Sequence, residues 1–177
     1  MTAVLSAHDS LEAPVDSAVT NASGTYAFAS IPPGQWIIRV SSDDPGDMGY
    51  VRAFFDVVHA GDAITIVPMD IAASGLTLVA PAEGAVVAPP SFSSPQRFTW
   101  TPYQLPYLTA SARLSRDGVI AWTSVRARST QADWNGMGNR GAFTGQALSP
   151  GTYRWRVKLQ LANSVQAGTQ FRTLVLQ

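Results

Sequence analysis

The sequence predicts an all-β protein of two tandem β-sandwich domains, and three observations carry that expectation. Apolar and polar residues alternate with period two at several places, most clearly along Tyr153-Arg-Trp155-Arg-Val157-Lys-Leu159-Gln-Leu161, the pattern of a strand with one buried face. Twelve Pro and fourteen Gly are spread over the 177 residues, which cuts the chain into short elements joined by turns. Apolar repeats at helical spacing are few, so short strands outcompete helices as the reading of the whole.

Taken in order, Thr2–Ser6 reads as a first strand, and Pro14-Val15-Asp-Ser-Ala18 follows it. The stretch Gly24-Thr-Tyr-Ala-Phe-Ala-Ser-Ile-Pro-Pro-Gly34-Gln-Trp36-Ile-Ile-Arg-Val40 alternates on both sides of an Ile-Pro-Pro-Gly turn. This predicts a strand carrying Tyr26 and Phe28, a reversal at Pro33-Gly34, and a strand carrying Trp36, Ile38 and Val40 on one face. Tyr50–Val58 and Ala63–Ile71 are two more strands around His59-Ala-Gly-Asp62. Small residues at Ala72-Ala73-Ser74-Gly75 mark a short boundary between domains 1–73 and 74–177.

The Gly-x-Tyr-x-Phe…Pro-Pro-Gly pattern and the Pro-Val-x-x-Ala element resemble those of carboxypeptidase regulatory-like domains, which are small transthyretin-like β-sandwiches. The resemblance covers roughly residues 1–72. It implies an accessory domain of a secreted or surface protein, separate from any zinc-dependent catalytic part. The interval from Ala18 to Gly24 is short for the family's second strand and hairpin. A short or unpaired sandwich edge is therefore expected there, open to strand addition by a partner.

In the second half, Leu76–Val79, Arg97-Phe-Thr-Trp100 and a hairpin on Asp117-Gly118 read as strands, the last because Asp-Gly suits a two-residue turn with positive φ. The alternating segment after Leu148-Ser-Pro-Gly-Thr-Tyr153 and a final strand Thr169–Leu176 complete the set. Trp36, Trp100 and Trp155 are expected in the core, and the Arg and Lys of the alternating segment outside it. Phe-x-Trp on an early strand and Leu-x-Pro-Gly-x-Tyr-x-Trp-x-Val on a late one resemble fibronectin type III-like or immunoglobulin-like sandwiches over residues 76–177.

Composition restricts function more than it identifies it. No Cys is present, which excludes disulfides and thiolate metal sites. No segment reaches the ~18–20 apolar residues of a membrane span, and the N-terminus has no basic segment leading into an apolar one. The reading is a mature form or an export route not encoded in this chain. Eleven Arg against one Lys fits a GC-rich bacterial source. The zero net charge hides a division: two basic residues stand against nine acidic ones through Ala73, and ten against three from Ser74 onward. Such asymmetry points to interaction surfaces.

Catalytic constellations are missing from the sequence. His8 and His59 stand alone, outside metal-ligand spacing and away from any nucleophile elbow. Gly136-Met-Gly138-Asn-Arg-Gly141 spells GxGxxG, yet no buried strand precedes it and no helix follows, so it reads as a loop. The long Gly-rich connection Ser129–Gln146 carries Trp134, Asn135 and Arg140 as candidate ligand contacts. With Trp122, Tyr103 and Tyr107, Trp134 also offers an aromatic platform for sugar rings. Asp43, Asp44 and Asp47 form a turn with the oxygen chemistry of a calcium site, without EF-hand spacing.

The expectation is a non-catalytic, extracellular or surface structural or adhesion protein with no cofactor other than that calcium. Its partners would be protein, either copies of itself or a surface component, with no nucleic acid and no membrane span. Docking of the acidic first domain on the basic second domain of the next copy would build a filament or appendage. The alternative is a carbohydrate-binding accessory module of a secreted bacterial system, with polysaccharide as the partner.

Overall fold

The computed structural model describes residues 1–7, 14–44, 47–61, 75–104, 106–162 and 165–177. The described residues contain thirteen strands: β1 Thr2–Ala7, β2 Pro14–Val19, β3 Gly34–Ser41, β4 Tyr50–Val57, β5 Leu78–Ala80, β6 Ala85–Val87, β7 Gln96–Trp100, β8 Thr109–Arg116, β9 Val119–Thr123, β10 Gln131–Trp134, β11 Gly151–Gln160, β12 Gln166–Gly168 and β13 Arg172–Leu176. The one helical element among them is a single 3-10 turn at Gly141–Phe143. The fold is all-β, as the alternation and the spread of Gly and Pro predict.

The strands form two sheets. Ten join in one sheet that runs β2-β1-β3-β4-β12-β11-β13-β6, with β8 on the other edge of β11 and β9 beyond it. The remaining three form a small sheet, β10-β7-β5. The large sheet crosses from the first half of the chain to the second through β4 and β12, where Tyr50, Val51 and Arg52 pair with Gly168, Ala167 and Gln166. One row of small and branched residues follows the same path on the core side: Ala3, Val40, Val51, Ala167 and Leu159, each opposite the next. All five are buried in a single cluster with Phe98, Trp100 and Trp155. The halves thus share backbone hydrogen bonds and a core. The boundary residues 72–74, the strand expected at Ala63–Ile71 and His8 lie outside the described residues.

Local sequence explains most of the strands. Asp117 and Gly118 both have positive φ, 50° and 81°, the type I′ geometry that joins β8 to β9 with the twist of the sheet. Along β11, Tyr153, Trp155, Val157 and Leu159 are buried as the alternation requires. Trp36 and Trp100 are buried too. Phe98 is the hub of the inter-sheet core, with ring centroids 5.0 Å from Trp155, 5.7 Å from Trp122 and 6.4 Å from Trp134.

Four expectations need correction. Gly24–Phe28 forms no strand, although Trp36 follows in β3. Both edges of β3 are already taken, by β1 and β4, so the Tyr26–Phe28 arm finds no vacant ladder and packs its rings on the core instead. Pro14–Val19 is itself a strand, paired to β1. The connection read as a loop from Ser129 contains β10, held to β7 and tied by the exposed Arg97–Asp133 ion pair at 2.8 Å. Finally, the expected last strand Thr169–Leu176 is the shorter β13, starting at Arg172, and an unexpected β12 precedes it on the same edge of β11.

Candidate functional site

The residues singled out for sugar binding do not form a platform. Trp134 has no exposed surface, and its indole N–H donates to the Met137 carbonyl at 2.9 Å. Trp122 stacks on Phe98 in the core, and Tyr103 is buried against the half-buried Tyr107 at 6.3 Å in an edge arrangement. Apolar burial wins over presentation here, because the small sheet needs these rings to fill the space opposite β8 and β11. Trp122, Trp134 and Tyr103 thus offer no open aromatic face to a sugar ring, and Tyr107 is half-buried.

The loop that spells GxGxxG has a structural task. Asn139 acts as a surrogate strand on the outer edge of β9: its amide donates to the Thr123 carbonyl at 2.8 Å, its side-chain oxygen accepts the Thr123 N–H at 2.9 Å, and its own N–H reaches the Ala121 carbonyl at 3.0 Å. This covers an edge that would otherwise offer free backbone groups. Asn135 turns its oxygen to the Met137 N–H at 3.1 Å, and Arg140 is exposed beside the 3-10 turn with its carbonyl accepting from Phe143.

Nor do the three aspartates converge. Asp47 accepts the Ser42 hydroxyl at 2.6 Å, and that hydroxyl in turn accepts the Asp44 N–H at 3.1 Å. Asp43 and Asp44 are exposed. The turn is closed by these bonds, and among the described residues no group of three or more His, Asp or Glu side chains is placed to hold a metal ion. His59 is exposed on the turn after β4.

What the structure does assemble is a cationic face over the junction of the two halves. On the side of the large sheet away from the core, one row runs Ser41, Tyr50, Gly168, Lys158 and Ser111, and the next runs Arg39, Arg52, Gln166, Gln160 and Thr109. One step further along β11, Arg156 lies directly opposite Arg113 of β8. Like charges in directly opposed positions repel. The two basic residues of the first half, Arg39 and Arg52, therefore join the cations of the second half, so the charge division along the sequence is not a division in space at this point.

Tyr50 organises the face. Gly168 opposite it has no side chain, and an added Cβ there would overlap the Cε1 edge of the Tyr50 ring. The ring lies over that glycine and is buried, with guanidinium carbons of Arg156, Arg39 and Arg52 at 4.7, 5.1 and 5.9 Å from its centroid. Phe171, in the gap between β12 and β13, takes Arg154 and Arg156 at 4.3 Å each. Cation–π contacts of this kind hold a guanidinium without neutralising it. Arg52 also donates twice to the Gln166 side-chain oxygen, at 3.2 and 2.8 Å.

Among the described residues no carboxylate is paired with these cations. The ion pairs among the described residues are Arg97–Asp133 and Arg116–Asp117, both away from the face. Lys158, expected outside on the alternation of β11, is only 8 % exposed. Burial, and then the positive charges of Arg113, Arg52, Arg126 and Arg156, push its ammonium down to about 7. Burial likewise lowers Arg113 and Arg156. The Nε of Arg113 is buried without a hydrogen-bond partner. Beside the face, where β4 runs on past its last pair with β12, a groove of about 330 Å³ opens between Phe54, Asp56, Gln160 and Gln166.

Sequence reasoning missed this face for a physical reason. Arg156 and Lys158 were visible as the polar half of an alternation, but their neighbours Arg39 and Arg52 lie more than one hundred residues earlier. Only the β4–β12 register brings them together. Among the described residues no helix is long and apolar enough to cross a membrane. No protein-family model matches the chain, and no curated protein matches it.

Proposed function

We propose that the chain is a non-catalytic structural or adhesion protein, working outside the cell or at its surface, that assembles head-to-tail with copies of itself. Residues 1–73 are a carboxypeptidase regulatory-like, transthyretin-like unit, and residues 74–177 a fibronectin type III-like or immunoglobulin-like one. The second assignment is supported by the Tyr153 hydroxyl, which donates to the Ser149 carbonyl at 2.8 Å just before β11. This is the corner that a tyrosine makes at the start of the corresponding strand in such sandwiches.

The observation that carries the assembly reading is a cationic face that has no carboxylate ion pair among the described residues. Exposed acids sit elsewhere, at Asp16 on β2 and at Asp43 after β3. Each copy then offers acidic side chains at the β2–β3 edge to the basic face of the next, a heterologous pair that repeats along a filament. Because both surfaces are exposed at their rims, the contact is screened by salt. Sedimentation velocity from ~0.01 M to 1 M salt, over which the Debye length falls from ~30 Å to ~3 Å, tests this. Large species at low salt that dissociate at high salt are expected. A monomer at every salt and at high protein concentration rejects the reading.

A further inference from the structure

Arg113, Arg156 and Lys158 form the deepest part of the cationic face. Arg113 and Arg156 are directly opposed across β8 and β11, and Lys158 follows two residues on, beside Tyr50 through Gly168. Placing three cations together, Lys158 buried and Arg113 and Arg156 half-buried, costs free energy in two ways, by desolvation and by mutual repulsion. The Tyr50 and Phe171 rings offset part of the cost for Arg156, but no anion among the described residues lies against the three cations. The three side chains donate no hydrogen bond there, and Arg113 keeps a buried Nε–H with no acceptor.

The donors are nonetheless held in place. Arg156 has its guanidinium carbon within 5 Å of both the Tyr50 and the Phe171 ring centroids. With its π faces engaged, its N–H groups are left to meet acceptors in the guanidinium plane. A rigid guanidinium of this kind loses little freedom when it binds an oxyanion. A carboxylate brings one charge and two oxygens, enough for a single guanidinium fork. A tetrahedral dianion brings two charges and more oxygens, which suits two guanidiniums and an ammonium.

We infer that Arg113, Arg156 and Lys158 form a binding site for a tetrahedral dianion, a phosphate or sulfate group, seated on the cationic face next to Tyr50. The site does not require assembly of copies, because its members, the buried Lys158 and the half-buried Arg113 and Arg156, are the centre of the face while Arg39 and Arg126 are exposed at its rim. The adjoining groove carries Asp56 on its wall, so the anion belongs on the Tyr50 side. A bound dianion supplies the missing acceptors and removes the repulsion between Arg113 and Arg156.

Inorganic phosphate and inorganic sulfate are the probes, titrated into the full chain at a protein concentration where it is monomeric, with chloride at matched ionic strength as the reference. Calorimetric titration and thermal unfolding should both report binding beyond the chloride control. Lys158→Met keeps the length of the side chain and removes its charge, so the variant should fold and bind at least about tenfold more weakly. Arg156→Gln, read in the same way, guards against a Lys158 variant that fails to fold. A phosphate monoester and a sulfated sugar then separate the sources: binding of the inorganic ions alone assigns a free ion, and binding of an ester as well assigns a group carried on a larger molecule. No response beyond chloride, or equal affinity in both folded variants, overturns the site. Phosphate binding by a chain that never assembles would keep the site and reject the filament; assembly without phosphate binding would do the reverse.

Discussion

The two faces of the large sheet differ by a single step along each strand and by everything in their chemistry. On one side, Leu159, Ala167, Val51, Val40 and Ala3 pass through the junction as a buried apolar row. On the other, Lys158, Gly168, Tyr50 and Ser41 make the same crossing, flanked by Arg113, Arg156, Arg39 and Arg52. The apolar row gains stability from every residue it buries. The cationic row is held in place by its neighbour and contributes charge, which is what a docking surface needs. An apolar, stabilising face and a charged one are thus placed back to back, and a register slip of one residue would exchange them.

The largest expected effect is on the apolar side. Trp155→Ala removes a fully buried ring beside Phe98 and should cost ~3–5 kcal/mol in chemical denaturation. A cost near zero would mean that the inter-sheet core is assigned to the wrong face. At the crossing itself, Gly168→Ala sets a Cβ against the Tyr50 ring. It should destabilise by about 1–3 kcal/mol, since the ring must lift away from the sheet. A neutral result would show that Tyr50 does not lie over Gly168.

Lys158 gives the cationic side a pH signature. Its folded-state pKa is about 7, below its ordinary 10.5, so between these values the unfolded chain binds the proton that the folded chain releases. Stability from this group is therefore fully present above about 10.5, falls as pH drops toward 7, and is level below that, with a slope of at most ~1.4 kcal/mol per pH unit. The difference between the wild-type and Lys158→Met stability curves isolates the slope. Parallel curves would place Lys158 in solvent. The smallest effect belongs to the covered edge: Asn139→Ala should cost roughly 1 kcal/mol and raise aggregation on heating, because β9 loses its surrogate partner.

What the sequence made legible follows the range of the interactions involved. The Asp117-Gly118 hairpin and the buried side of β11 depend on neighbours in sequence, and both are found where the pattern places them. The hairpin expected around Pro33-Gly34 is absent because β1, far back in the chain, takes the edge that the Tyr26–Phe28 arm would have needed. β10 was hidden in a Gly-rich stretch, since its four residues are fixed by pairing with β7 and by Asp133 meeting Arg97. The aromatic residues Trp122 and Trp134 carried no signal to separate core from platform, for both uses need the same side chain. The cationic face depends on the pairing of β4 with β12, and no local pattern encodes it.

Charge exchange between copies tests the assembly claim most directly. Arg39 and Arg126 are exposed at the rim of the cationic face, and Asp16 and Asp43 are exposed on the acidic surface, so reversing either pair should leave the fold intact. Sedimentation velocity at ~0.01 M salt should find Arg39→Glu with Arg126→Glu monomeric, Asp16→Lys with Asp43→Lys monomeric, and an equimolar mixture of the two forming heterodimers, because one partner retains the natural cationic face and the other the natural acidic one. Large species formed by either variant alone as readily as by the wild type, or a mixture that stays monomeric while the wild type assembles, would contradict the account.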